Sequence, residues 1–289
     1  MLQRPGTEPL LAARQTSASM TILEDEDPYD RVKEVAVAES LVGTELQALN
    51  IQIVQLGSLV DTSLRHVLDA FAMTDPSLCE QVLAADTLID DGSVESERRS
   101  FQLLKVQRPL DGCALRFLTA VSPMLRDLQQ IGGSTTDIAT ILPRFMSLPD
   151  VPIVEEISAE QARYTGAWSA GPNEAFATGA VLTLGREAHV LLQRTMEALA
   201  TCDNQAARRI WQDGDLIDMR YRLVRRDLLE MLAAMRGFPT AQNDDRNLQR
   251  ISLLLSMIHI LERIADHCAH ICEWVVFVFE GEASMTSAH

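Results

Sequence analysis

Most of this chain is written twice. Residues 59–91, LVDTSLRHVLDAFAMTDPSLCEQVLAADTLIDD, align without a gap on residues 187–219, EAHVLLQRTMEALATCDNQAARRIWQDGDLIDM, at an offset of 128. Gly57 then falls on Gly185, Leu64 on Leu192, Asp75 on Asp203, and Leu88, Ile89 and Asp90 on Leu216, Ile217 and Asp218. Farther along the offset becomes 133, which lays DGCALRFLTAVSPMLRDLQQIGG over DDRNLQRISLLLSMIHILERIAD. The added residues fall around Gly237, Phe238 and Pro239, where a loop absorbs an insertion at little entropic cost. Duplication on this scale requires two copies of one folding unit.

That unit is helical. Leu46, Leu49, Ile53, Leu56, Val60, Leu64, Val67, Leu68 and Phe71 recur at three- and four-residue steps, which is one apolar face of a long helix. The helix ends at Met73 and Thr74, and a second starts with Asp75 as N-cap and Pro76 at the first helical position. The second runs to about Gln107 and stops at Arg108 and Pro109; a third spans about Gly112 to Leu142 and is expected to bend at Pro123. Helices of roughly 25 to 30 residues are about 40 Å long, and their short connections force antiparallel neighbours. The expectation is an all-α protein of two tandem three-helix bundles. Residues 1–29 read as a loosely attached tail, 30–142 as the first repeat, 143–173 as a Pro- and Gly-bearing linker, 174–282 as the second repeat and 283–289 as a C-terminal tail.

Charge narrows the function. A net charge of -16 with no basic cluster standing apart from acidic neighbours argues against nucleic acid. ISLLLSMIHIL and EWVVFVF fall short of the roughly 18 apolar residues of a membrane span. The N-terminus lacks the apolar block of a secretory signal, and five cysteines without framework spacing fit a reducing cytoplasm.

One stretch concentrates chemistry. In LERIADHCAHICE, Glu262, Asp266 and His270 stand four residues apart beside an apolar stripe of Leu261, Ile264, Ala265, Cys268, Ile271, Cys272 and Val275. Side chains four apart on a helix lie about 6 Å apart, near enough for two carboxylates to share a cation of iron, manganese, zinc or magnesium. The alternative is a solvated helix edge whose acids pair with Arg263 or a neighbouring helix. His267, Cys268, His270 and Cys272 do not read as a zinc site, because they point at different angles around one helix. Paired Glu-x-x-His motifs of di-iron bundles are absent, as are GxxxxGK[ST], GxGxxG and GxSxG signatures. The chain does not read as an enzyme.

The doubled unit, the ending LERIADHCAHICEWVVFVFEGE and the preceding QRISLLLSMIHI together resemble the PhoU family of phosphate-uptake regulators. ADTLIDD and GDLIDM resemble the family's DxxID-type stretch in the second helix of each repeat, and QRPLDGCALRFL its turn into the third. The similarity covers about residues 41–142 and 176–282. It implies a cytoplasmic, non-enzymatic negative regulator linking a Pst-type phosphate transporter, through its ATPase subunit, to a sensor histidine kinase. Membrane association would then come through partners only, with a homodimer among the assemblies open to it.

The resemblance also implies acid-x-x-x-acid motifs that hold divalent or trivalent metal. In the second repeat the C-terminal motif matches through Glu262 and Asp266; in the first its positions are Gln129 and Gly133. The helix-2 motif survives in the first repeat as Asp86 and Asp90, and in the second as Gly214 and Asp218, with Asp215 as a substitute. The expected site is therefore at most one, on the second repeat: Glu262, Asp266 and Asp218, with His270 adding an imidazole. Two further readings stay open: a diverged adaptor of the same fold without metal, and an iron-storage or redox bundle.

Overall fold

The computed structural model describes residues 28–105, 110–148, 174–235 and 244–281, so both tails and most of the linker lie outside the described residues. These form six helices: α1 Pro28–Met73, α2 Ser77–Leu104, α3 Gly112–Met146, α4 Glu174–Thr201, α5 Asn204–Met235 and α6 Asp244–Glu280. Residues 1–40 group as one compact unit, whose described part is the opening of α1; Leu41–His289 form the other. Among the described residues no helix is long and apolar enough to cross a membrane.

The duplication is visible in the turns. Thr74 and Cys202, equivalent at the 128 offset, both adopt the left-handed conformation, with φ of 56° and 54°. Behind each, the next amide reaches back five residues: Asp75 N–H donates to the Ala70 carbonyl and Asp203 N–H to that of Ala198. That is the Schellman closure of a helix C-terminus. The following aspartates cap the next helix, Asp75 accepting from the Ser77 amide and Asp203 from the Ala206 amide, each at 2.9 Å. Asp75 thus caps as expected, while α2 begins at Ser77, just past Pro76. Asp111 does the same for α3, accepting from Ala114 N–H at 2.6 Å.

Helix ends differ slightly from expectation. The helix α2 stops at Leu104, three residues earlier than the pattern implies. By contrast α3 runs through Pro143 to Met146. Proline removes one donor from a helix, but Phe145 is buried there, edge-on to Phe71 with ring centroids 5.5 Å apart. That packing carries the helix one turn into what the pattern reads as linker.

The core is one apolar cluster running through both repeats, from Leu49, Ile53 and Leu64 to Leu192, Ile258 and Ile271. Within the first repeat, Gly132 on α3 lets Ile89 of α2 and Val60 of α1 close to 3.3 Å and 4.0 Å of its Cβ position. Between repeats, α1 runs antiparallel to α4 and α3 antiparallel to α6. Gly57 lies against Met196 and Gly185 against Leu68. Since 57 matches 185 and 68 matches 196, these are one contact made twice, as in an isologous interface. Residues on such an axis meet their own counterparts, and they do so here: His189 lies 2.8 Å from Asp61, and Arg263 donates to Gln130 at 3.2 Å, separations of 128 and 133 in sequence.

The ends of the third helices are tied across the same axis. Arg116 near the start of α3 donates through Nε to the Val278 carbonyl of α6 at 2.8 Å. Arg250 near the start of α6 lies over the Phe145 ring at 4.3 Å and donates to the Leu148 carbonyl. A guanidinium on the last carbonyls satisfies groups the helix itself leaves open and opposes the negative end of its dipole. Gly281, at φ 74°, supplies the left-handed stop after α6.

Left-handed backbone at a non-glycine residue costs about 1–2 kcal/mol. Thr74→Gly and Cys202→Gly are therefore each expected to raise stability by about 1 kcal/mol, read as a higher urea midpoint. Conversely, Gly57→Val and Gly185→Val would drive Cβ groups into Met196 and Leu68 and should each lower stability by about 1–3 kcal/mol.

Candidate metal centre

The expected ligands fall into separate environments. In the first repeat, Asp90 accepts from the Gln129 amide at 3.0 Å and Asp86 from the Thr136 hydroxyl at 3.2 Å, both across the α2–α3 contact. Gln129 is the residue that replaces the second repeat's Glu262. Its NH₂ donates where a carboxylate would have repelled, so each aspartate has one neutral donor against it.

The second repeat keeps its charge. Asp218 on α5 accepts from Arg222 one turn on, at 2.5 Å. Glu262 on α6 lies 3.0 Å from His259 Nδ1, and its charge acts on the Tyr221 phenol of α5. Burial, then the nearby Glu262, push the Tyr221 phenol up. Asp266 is also pushed up, first by partial burial and then by Glu262, with Asp218 adding to the effect and His270 opposing it. Uncompensated negative charge of this kind fits a multivalent cation. Arg222 and His259 meanwhile hold Asp218 and Glu262, and the three acids do not converge to ligand spacing. Gly214 and the suggested substitute Asp215 lie outside the residues whose side chains are described.

Convergence occurs elsewhere. Among the described residues, one group of three ligating side chains brings a donor atom from each within 4.8 Å of the others: Asp127, His267 and His270. His267 Nδ1 lies 2.8 Å from Asp127 Oδ1 and His270 Nδ1 lies 3.6 Å from the same oxygen. Asp127 sits on α3 with its side chain 12% exposed, so it reaches α6 across the axis between the repeats. Burial raises its pKa, but the two imidazoles outweigh that and hold the carboxyl below the usual range. His270 is held above the ordinary imidazole value by Asp127 first, with Glu273 and Asp266 assisting.

The sequence reading of this segment is thereby divided. Cys268 and Cys272 belong to the core, both fully buried, and burial pushes Cys272 up to about 12. The four residues from His267 to Cys272 do not share one ion. The two histidines do converge, however, on a carboxylate from another helix. Nothing in the sequence marks Asp127, because its partners lie 140 residues away and only the antiparallel packing of α3 on α6 brings them together.

The family comparison reaches the same segments. The family model described as "PhoU domain" matches twice, at residues 53–142 and 181–275, which is more than half of the chain and one match per repeat. The chain belongs to the PhoU family. Similar curated relatives are the "Phosphate-specific transport system accessory protein PhoU homolog" of Clostridium acetobutylicum, 20% identical over 83% of this chain and 94% of the relative. The "Phosphate-specific transport system accessory protein PhoU" of Escherichia coli is 21% identical over 82% and 85%. Among solved structures, PhoU from Pseudomonas aeruginosa aligns with a TM-score of 0.67 at 20% identity, covering 83% of this chain and 99% of that one. A Streptococcus pneumoniae PhoU aligns at 0.63 with 21% identity, over 83% and 98%. Both show the same helical fold as this PhoU-family chain.

The electrostatics of His270 predict a pH signature. Its folded pKa is raised, so the folded chain holds the proton more tightly than the unfolded one. The contribution is complete below the free imidazole value of about 6.5 and fades as pH rises through the folded value. Wild type should therefore lose stability relative to His270→Gln as pH rises above the free imidazole value of about 6.5. Parallel urea-midpoint profiles for the two proteins would show that the contact with Asp127 carries no net energy.

Proposed function

We propose that this chain is a negative regulator of phosphate uptake and phosphate-starvation signalling. It acts by protein contacts between a Pst-type phosphate transporter and a sensor histidine kinase. The observation that carries this reading is the PhoU-domain match to both repeats, joined with relatives named as accessory proteins of a phosphate-specific transport system. The net charge of -16 suits a partner with a basic face, such as a transporter ATPase subunit or a kinase domain. In this reading the protein is cytoplasmic and reaches the membrane through its partners, and it catalyses no reaction.

The second repeat is where a cation belongs. Glu262, Asp266 and Asp218 would hold it, with Asp218 released from Arg222, and the cation would cancel their mutual repulsion. Its chemistry is charge: bound there, a divalent or trivalent ion would offset most or all of the negative charge of the three carboxylates. A metal-free adaptor remains the second reading, favoured by Gln129 and Thr136 standing as neutral donors on Asp90 and Asp86.

Deleting the gene in cells grown on ample phosphate should switch on phosphate-starvation genes and raise phosphate uptake. Silent genes and unchanged uptake would sink the assignment. Separately, metal analysis of purified protein should find a metal in wild type that is lost from Glu262→Ala/Asp266→Ala. Equal, negligible metal in both would leave the metal-free adaptor.

A further inference from the structure

We propose that Asp127, His267 and His270 form a second, distinct metal site, for one zinc ion held between the two repeats. The geometry begins with α6, where positions 267 and 270 lie one turn apart and share a face, so both imidazoles can reach the same neighbour. That neighbour is Asp127 of α3, whose Oδ1 lies 2.8 Å and 3.6 Å from the two Nδ1 atoms. A tetrahedral ion with bonds of about 2.0–2.1 Å sets its ligand atoms about 3.3 Å apart. The two carboxylate–imidazole separations bracket that edge, and all three donor atoms lie within 4.8 Å of one another.

The donor set selects the ion. Two imidazole nitrogens and one carboxylate oxygen suit zinc and its first-row neighbours, and not calcium or magnesium, which take oxygen. Two of the three ligands are largely shielded, Asp127 at 12% and His267 at 18% exposure, while the His270 side chain is 53% exposed. The open side leaves room for water as a fourth ligand, or for a group supplied by a partner.

Symmetry shows that the fold does not need these residues. The axis that relates the repeats carries Asp127 onto Ile260, His267 onto Ser134 and His270 onto Asp137. The equivalent place therefore packs the same helices with an isoleucine and a serine, both buried. A buried carboxylate flanked by two histidines has been introduced at one of two otherwise matching positions. Glu262 lies outside this group of three, whereas Asp266, one turn before His270, acts on both histidines through its charge.

The test uses the full chain, stripped with chelator and titrated with zinc by calorimetry at pH 7.5, with cobalt(II) as a spectroscopic probe. Wild type should take up one zinc at this site, and the cobalt form should show the visible bands of a tetrahedral nitrogen–oxygen site. Asp127→Asn and His267→Gln should weaken that binding at least a hundredfold. His270→Gln, altered at an exposed position that folding tolerates, should weaken it at least tenfold. Glu262→Gln/Asp266→Asn should weaken it less than His270→Gln does, since Asp266 acts on His270 only through its charge. Failure of wild type to bind, or binding that His270→Gln leaves intact, overturns the proposal. So does binding lost from Glu262→Gln/Asp266→Asn and kept in the folded Asp127→Asn chain, which places the metal in the acidic groove. Because the proposed regulatory role is tested by gene deletion, each reading can fail without the other.

Discussion

The antiparallel contact between the repeats is the constraint on which the rest depends. A three-helix unit has an apolar face that it cannot cover alone, and the second copy covers it with the equivalent face. The packing of Gly57 on Met196 and Gly185 on Leu68 fixes how closely α1 and α4 approach. Asp61 with His189 and Gln130 with Arg263 mark the axis, and the guanidinium ties of Arg116 and Arg250 lock its two ends. An apolar core running through both repeats follows from this arrangement.

Duplication made the repeats alike, and local chemistry then drew them apart. In the first repeat Gln129 and Thr136 stand as donors against Asp90 and Asp86. The second keeps Asp218, Glu262 and Asp266, and burial together with the neighbouring Glu262 raises Asp266. The asymmetry matters for a binding protein. Two matching faces would offer two matching sites, whereas here one face is electrostatically settled and the other is not.

Much of the fold was legible in the sequence because helix periodicity is local. The boundaries near Met73, Gly112 and Thr201 and the repeat offsets all come from spacing and turn residues. What escaped was the extra turn of α3 past Pro143, which a distant contact between Phe145 and Phe71 sustains. Cys268 and Cys272 were readable as core from their stripe. The turn of His267 and His270 toward α3 was not, since periodicity gives an angle around one helix and says nothing of what stands opposite.

By itself, then, the sequence determined the helices, their duplication, the family and the loss of carboxylates at Gln129 and Gly133. Each of these is carried by residues near one another in the chain or by comparison at a fixed offset. The tertiary structure alone decided which groups meet: that Gln129 answers Asp90, and that Asp127 stands beside both His267 and His270. Such meetings depend on how two helices are rotated and slid against each other. That register is set by the summed packing of the interface, and no short stretch of sequence encodes it.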